Sequence, residues 1–284
     1  MPVGDRRQVV APPPPRADEG QPIDAGRTMA GVHFFVPSFP DSTDERSRSP
    51  VRQAAGMRRL LTILGAAIVL RVVAGIVAEY PGYLPTPDFR TEFLAGREDT
   101  FDVGGYRVAF VAHLLAGPPT LLLGLLLAVP ALRQRAPHWH ARLGRLVVAL
   151  ALLVVAPSGL VMARHPLPSL SAPERAVAGL GFATLAFLTG VSATLGFVAA
   201  RRRRFADHER WMMRLLALLV SAVVLRVIGG ATSLLLPDVP WSYAANAWAS
   251  WLLPLVAVDA WHRAAHRETI TADRTSPEGC RPPA

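Results

Sequence analysis

Apolar residues run along this chain in long blocks separated by short polar stretches, and no block alternates strictly between apolar and polar positions. A bilayer core of ~30 Å takes about 20 helical residues to cross, whereas barrel strands alternate over about ten. The pattern therefore predicts membrane-crossing helices over residues 60–79, 106–132, 143–162, 176–200, 211–235 and 242–261. The expected fold class is all-α, a polytopic membrane bundle of about six transmembrane helices. Its domains read as a disordered cytoplasmic region at 1–57, a transmembrane domain at 58–263 and a disordered cytoplasmic tail at 264–284. The connections are short except for 80–105, which carries Pro81, Pro85, Pro87 and several acidic residues.

Composition agrees with the pattern. Of 284 residues, 51% are apolar and 18% charged, and the mean hydropathy is +0.30. A soluble domain of this length could not cover six such blocks. The net charge of +9 comes entirely from arginine, since the chain has no lysine. Those arginines set the orientation. Arg133, Arg135 and Arg142 fall in one turn and Arg201 to Arg204 with Arg210 in another, while the opposite side carries fewer. Cytoplasmic loops hold the positive excess, so both termini are expected inside, in the cytoplasmic membrane. The positive charge then meets anionic lipid, which makes the bilayer the expected partner and excludes a nucleic-acid reading. Tyr80, Tyr83, Tyr106, Trp241 and Tyr243 would form an outer aromatic belt, and Trp139, Trp211 and Trp261 an inner one.

At the amino end a run of four prolines at 12–15 and a mixed polar stretch argue against a packed core. The apolar patch at 32–39 is broken by proline and lacks the cleavage site of a signal peptide. Met57 stands directly before the first block, so it and Met29 are expected alternative starts of the natural chain. The one cysteine, Cys280, makes no intramolecular disulfide and no cysteine-ligated cluster.

Arg133, Arg135, His140 and Arg142 recur at the same displacement as Arg201, Arg203, His208 and Arg210. Both sets lie in an inner turn, so the second and third spans would pair with the fourth and fifth as a parallel repeat of two hairpins. The apolar helix around His113, the segment HARLGR from His140 to Arg145, HERWMMRLLAL from His208 to Leu218, and Arg226 beyond it carry a family resemblance. On these residues, over roughly 60–265, the chain resembles an uncharacterised bacterial membrane family, domain of unknown function 2306. The resemblance implies a multi-pass membrane protein and assigns no activity.

Ionisable groups at membrane depth are functional candidates because they are costly to hold there. At ~1.5 Å per helical residue, His113 lies about 10 Å below the outer surface, Arg226 about 22 Å above the inner one and Arg71 about 17 Å in. With His165 at the outer end of the third span, these form an expected ligand-binding layer. Gly117, Thr120 and Gly124 follow His113 on one helix face, and Pro118 and Pro119 free carbonyls that need other donors. On the inner side His140, His208, Arg145 and Arg214 form a second candidate set.

Three functions compete on these residues. His113 with His165, and His140 with His208, could ligate b-type haem for transmembrane electron transfer, although three of these four lie at helix ends. Arg71, Arg226 and His113 could instead form a cationic pocket of a transporter or small-molecule binder, for an anion, a quinone head or a lipid headgroup. An assembly factor could use the small face of Gly179, Ala183, Ala186 and Gly190. No His-Glu-x-x-His, phosphate-loop or nucleophile-elbow motif supports hydrolysis.

Overall fold

A computed structural model describes residues 42–91, 93–235 and 239–275. The chain divides into two units, Met1–Ala55 and Gly56–Ala284, and everything below concerns the second. The proline run at 12–15, Met29, Asp238 and Cys280 lie outside the described residues.

Every described element is helical: α1 (Ser42–Ala78), α2 (Tyr80–Tyr83), α3 (Glu98–Phe101), α4 (Tyr106–Ala128), α5 (Pro130–Arg135), α6 (Pro137–Leu150), α7 (Ala156–Met162), α8 (Ala172–Arg201), α9 (Phe205–Leu235) and α10 (Ser242–Thr275). A π-helical turn, Ala151–Val155, joins α6 to α7. Two helices run past their apolar blocks. Helix α1 begins at Ser42, ahead of the block at 60–79, and α10 runs to Thr275, past the block at 242–261. Hydropathy registers only the apolar part of a helix, whereas Ala54, Ala55, Ala264 and Ala265 are strong helix formers that let the coil run on.

Five stretches are long and apolar enough to cross a bilayer: Leu60–Tyr83, Tyr106–Ala128, Pro137–Met162, Ala172–Arg201 and Phe205–Leu235. The chain is an all-α polytopic bundle. The sixth expected crossing, in α10, is one long helix, and Asn246, Ser250, Pro254 and Asp259 dilute its apolar content.

The bundle is built around α9, which packs along α8 and α10 and also meets α4. Helix α4 packs on α6 and α7, and α7 on α8. The central core joins Leu121, Val147, Ala151, Ala193, Leu215 and Leu219 from these helices. Helix α1 reaches that core only through a stripe at Val69, Val72 and Val73, and is the least buried of the five apolar stretches. Ile76 packs against the neighbouring aromatic cluster, and other large residues, among them Leu64, Leu70 and Val77, face outward.

Small residues set the helix spacing. A Cβ on Gly179 would stand 2.7 Å from the Ala163 carbonyl oxygen, and one on Gly159 would stand 3.2 Å from the Ala186 Cβ. The small face of α8 is thus occupied largely by α7 within this chain. The two arginine-rich turns differ in construction. The first contains α5, whereas the second is a tight reversal in which Arg203 adopts φ 57° and the Arg204 N–H reaches the Ala199 carbonyl at 2.9 Å. That is a Schellman close with arginine where glycine is usual.

Candidate functional site

Two prolines and a π-turn shape the interior at the tyrosine-bearing end. Pro118 lacks the N–H that would bond the Leu114 carbonyl, and the Tyr80 hydroxyl supplies the missing donor from another helix at 2.5 Å. Pro157 interrupts the ladder in the same way, just after the π-turn that absorbs the mismatch. The next residue, Ser158, turns its hydroxyl back on the Val154 carbonyl at 2.5 Å and the Val155 carbonyl at 3.1 Å.

His113 joins these two devices. Its Nδ1 lies 2.9 Å from Ser158 Oγ. A serine hydroxyl has one proton, and here it is directed to the backbone carbonyls. Ser158 therefore accepts from His113, which assigns the proton to Nδ1 and leaves the lone pair on Nε2. The ring also hydrogen-bonds the Val155 backbone, and among the described residues no side chain bonds to Nε2. Gly117 and Gly159 flank the ring, where a Cβ would come within 3.9 Å of Cδ2 and 3.7 Å of Cε1 respectively.

The ring opens on a cavity of about 270 Å³. His165 and Arg226 line it as well, so three of the four outer candidates are brought together. Arg71 is not among them. It is exposed on the outward face of α1, because the α1 stripe at Val69 and Val73 turns position 71 away from the bundle. An exposed arginine there extends its long stem toward the headgroups.

The cavity also recruits residues that depth and charge did not single out: Glu79, Tyr83, Arg97, Tyr106 and Tyr243. Glu79 accepts a hydrogen bond from Tyr83 at 2.5 Å, and both lie within electrostatic reach of Arg226. The expected belt is thereby corrected. Of the four tyrosines in the chain, Tyr83 and Tyr106 are 4% and 1% exposed and, with Tyr243, line the cavity instead of facing the interface. Tyr80 bonds the α4 backbone, and Trp241 alone of the five stays exposed.

The reason is the segment after α2, which folds over this end as a roof. Leu94 and Phe101 are almost wholly buried beside Tyr106 and Phe110. Arg97, 2% exposed, pins the roof down. It donates to the Phe93 carbonyl at 3.1 Å and to the His165 carbonyl at 2.6 Å, with its guanidinium over the Phe93 and Tyr106 rings. A signal was present in the clustered aromatics Phe89, Phe93 and Phe101, which a solvated loop would not need.

At the arginine-rich end the candidates separate. Arg214 forms a two-point ion pair with Asp259 of α10, at 2.9 and 3.2 Å, and lies over the Trp211 ring. Arg145 turns back on its own helix at the Ala141 carbonyl. His208 Nδ1 is 2.9 Å from the Gly196 carbonyl and so donates to it. His140 lies within electrostatic reach of His208 and Arg133, and its Nδ1 is buried with no hydrogen bond. Arg133 meets Glu209 at 3.5 Å across the two turns. Among the described residues no group of three or more metal-ligating side chains converges.

A helical bundle with five bilayer-length apolar stretches and a cavity holding a few polar groups between them defines the class: a multi-pass membrane protein. The chain matches the family described as "Predicted membrane protein (DUF2306)" over residues 110–262, more than half its length, and belongs to that family. The match is narrower than the 60–265 expected from the motifs. It contains His113, His165 and Arg226 but neither α1 nor the Arg97 roof. No curated protein and no solved structure matches the chain.

Proposed function

We propose that this protein spans the cytoplasmic membrane six times, with both termini in the cytoplasm, and binds one small molecule in the roofed cavity, with His113 accepting a hydrogen bond from the ligand. The observation that carries the reading is the free Nε2 of His113. Its tautomer is set by Ser158, and its open nitrogen stands on a cavity of about 270 Å³, near the ~300 Å³ lower end of ordinary small-molecule sites. Arg226 and Glu79 supply a donor and an acceptor at the same wall. Glu79 also brings an acidic group to the cavity wall, which favours a transport role over an assembly role, since the small face of α8 is largely covered by α7.

The same nitrogen supports a second reading, b-type haem, because an unprotonated imidazole is what ligates haem iron. His165 shares the cavity, and His140 with His208 would serve the other end. The small volume favours the first reading.

One preparation tests both. The protein is purified in mild detergent, its absorption spectrum is recorded oxidised and dithionite-reduced, and bound small molecules are extracted for mass spectrometry. The expected result is a featureless visible spectrum and a low-mass compound present in the wild type, retained in Arg71→Gln and lost in His113→Phe. A Soret band with sharp reduced α and β bands assigns the site to haem. Identical extracts from wild type and His113→Phe remove the cavity as a ligand site.

A further inference from the structure

The cavity has two sides from which a ligand could arrive. Toward the aqueous phase it is closed: Leu94, Phe101 and Tyr106 are at most 1% exposed, and Arg97 clamps the roof to the His165 and Pro166 carbonyls at 2.6 and 3.5 Å. Toward the bilayer its lining includes exposed residues. The wall there consists of Val73, Ile76 and Glu79 on one side and Ala222, Leu225 and Arg226 on the other. Glu79, Ala222 and Arg226 are all exposed while lining the cavity, so they stand where its interior meets the surroundings. The helix that forms one side of this gap, α1, is the one held to the bundle by a single narrow stripe.

The chemistry inside restricts the ligand. His113 Nε2 carries a lone pair and must receive a proton-bearing group, whereas Arg226 offers only donors and must meet an acceptor oxygen. Most of the remaining lining is apolar, with Leu114, Leu121, Leu185 and Leu218 among it. A phosphate head, all acceptors, leaves His113 unsatisfied. A ring bearing both hydroxyl and acceptor oxygens satisfies both residues, and its apolar body suits the leucine-rich lining.

Resting on the reading of the cavity as a ligand site, we infer that the ligand is a membrane-borne quinol-type amphiphile that enters sideways from the bilayer between α1 and α9, with its ring hydroxyl on His113 Nε2 and its tail left in the lipid. Arg226 and Glu79 mark the doorway.

The test uses the full chain in phosphatidylcholine nanodiscs with decylubiquinol as the probe, and measures binding and its rate by native mass spectrometry. Saturable one-to-one binding is expected, weakened at least tenfold by His113→Phe. Because that variant also deprives Ser158 of its partner, Ala222→Trp provides an independent check, narrowing the doorway while leaving His113 untouched. It should slow decylubiquinol entry at least tenfold. Unchanged entry in Ala222→Trp overturns lateral access and leaves the ligand site standing. Absence of decylubiquinol binding, with occupancy following added phosphatidylglycerol, overturns the quinol class in favour of a lipid headgroup. Binding of tailless hydroquinone as tightly as decylubiquinol overturns the membrane-borne class. The ligand site itself fails only if wild type and His113→Phe yield identical extracts.

Discussion

Arg214 and Asp259 show how a residue singled out by charge can turn out to have a structural task. Their two-point contact joins α9 to α10, with the side chains 20% and 29% exposed, so it is only partly screened by solvent. Removing one partner leaves the other charge half-buried. Asp259→Asn should therefore lower stability by about 1–2 kcal/mol in a thermal melt in detergent. Replacing both residues with leucine should recover most of that loss, because the pair's own desolvation cost disappears with it. His113 is the opposite case. Its polar depth was evident from the apolar residues around it, but its tautomer was not, because Ser158 lies 45 positions away on another helix. Arg71 and Arg226 looked alike in sequence and were separated only by which face of each helix meets the bundle.

On the scale of elements, the broken helices are the best example of local chemistry with a distant remedy. Pro118 predicts an orphaned carbonyl at Leu114, and the donor that satisfies it, Tyr80, comes from the far end of the α1–α2 stretch. If the two are linked, Tyr80→Phe should cost about 1 kcal/mol in the parent and much less in a Pro118→Ala background, where the helix supplies its own N–H. Equal costs in both backgrounds would show that the phenol acts elsewhere. The α7–α8 contact allows a sharper test. At Gly179 a methyl group would meet the rigid Ala163 carbonyl at 2.7 Å, so Gly179→Ala should destabilise by about 1–3 kcal/mol in the same melt. At Gly229, where a Cβ would meet nothing within 4 Å, alanine should be neutral or slightly stabilising.

For the whole molecule, the parity of crossings decides on which side of the membrane the carboxyl end lies. Five stretches meet the length and hydropathy of a crossing, and α10 makes a sixth in the proposed topology. The single cysteine in the sequence, Cys280, follows α10 and makes this measurable without engineering. With six crossings, a membrane-impermeant maleimide should label Cys280 only after the cytoplasmic side is opened, and an amino-terminal tag should be protected in parallel. Labelling in intact cells, with the tag still protected, would mean that α10 does not cross.

The all-α class, the positions of the five most apolar helices and the two arginine-rich turns were legible in the sequence, because a bilayer demands long apolar runs and satisfied backbone groups whatever the tertiary arrangement. His113, His165 and Arg226 were legible for the same reason, as charges or imidazoles near membrane depth. Tertiary structure alone decided that these three share a cavity, that Arg71 does not, and that Glu79, Tyr83, Arg97, Tyr106 and Tyr243 complete it. Those five looked like interface and loop residues along the chain. The segment that folds over the helix ends reverses their surroundings, and the packing that drives it joins residues too far apart in sequence for any local pattern to record.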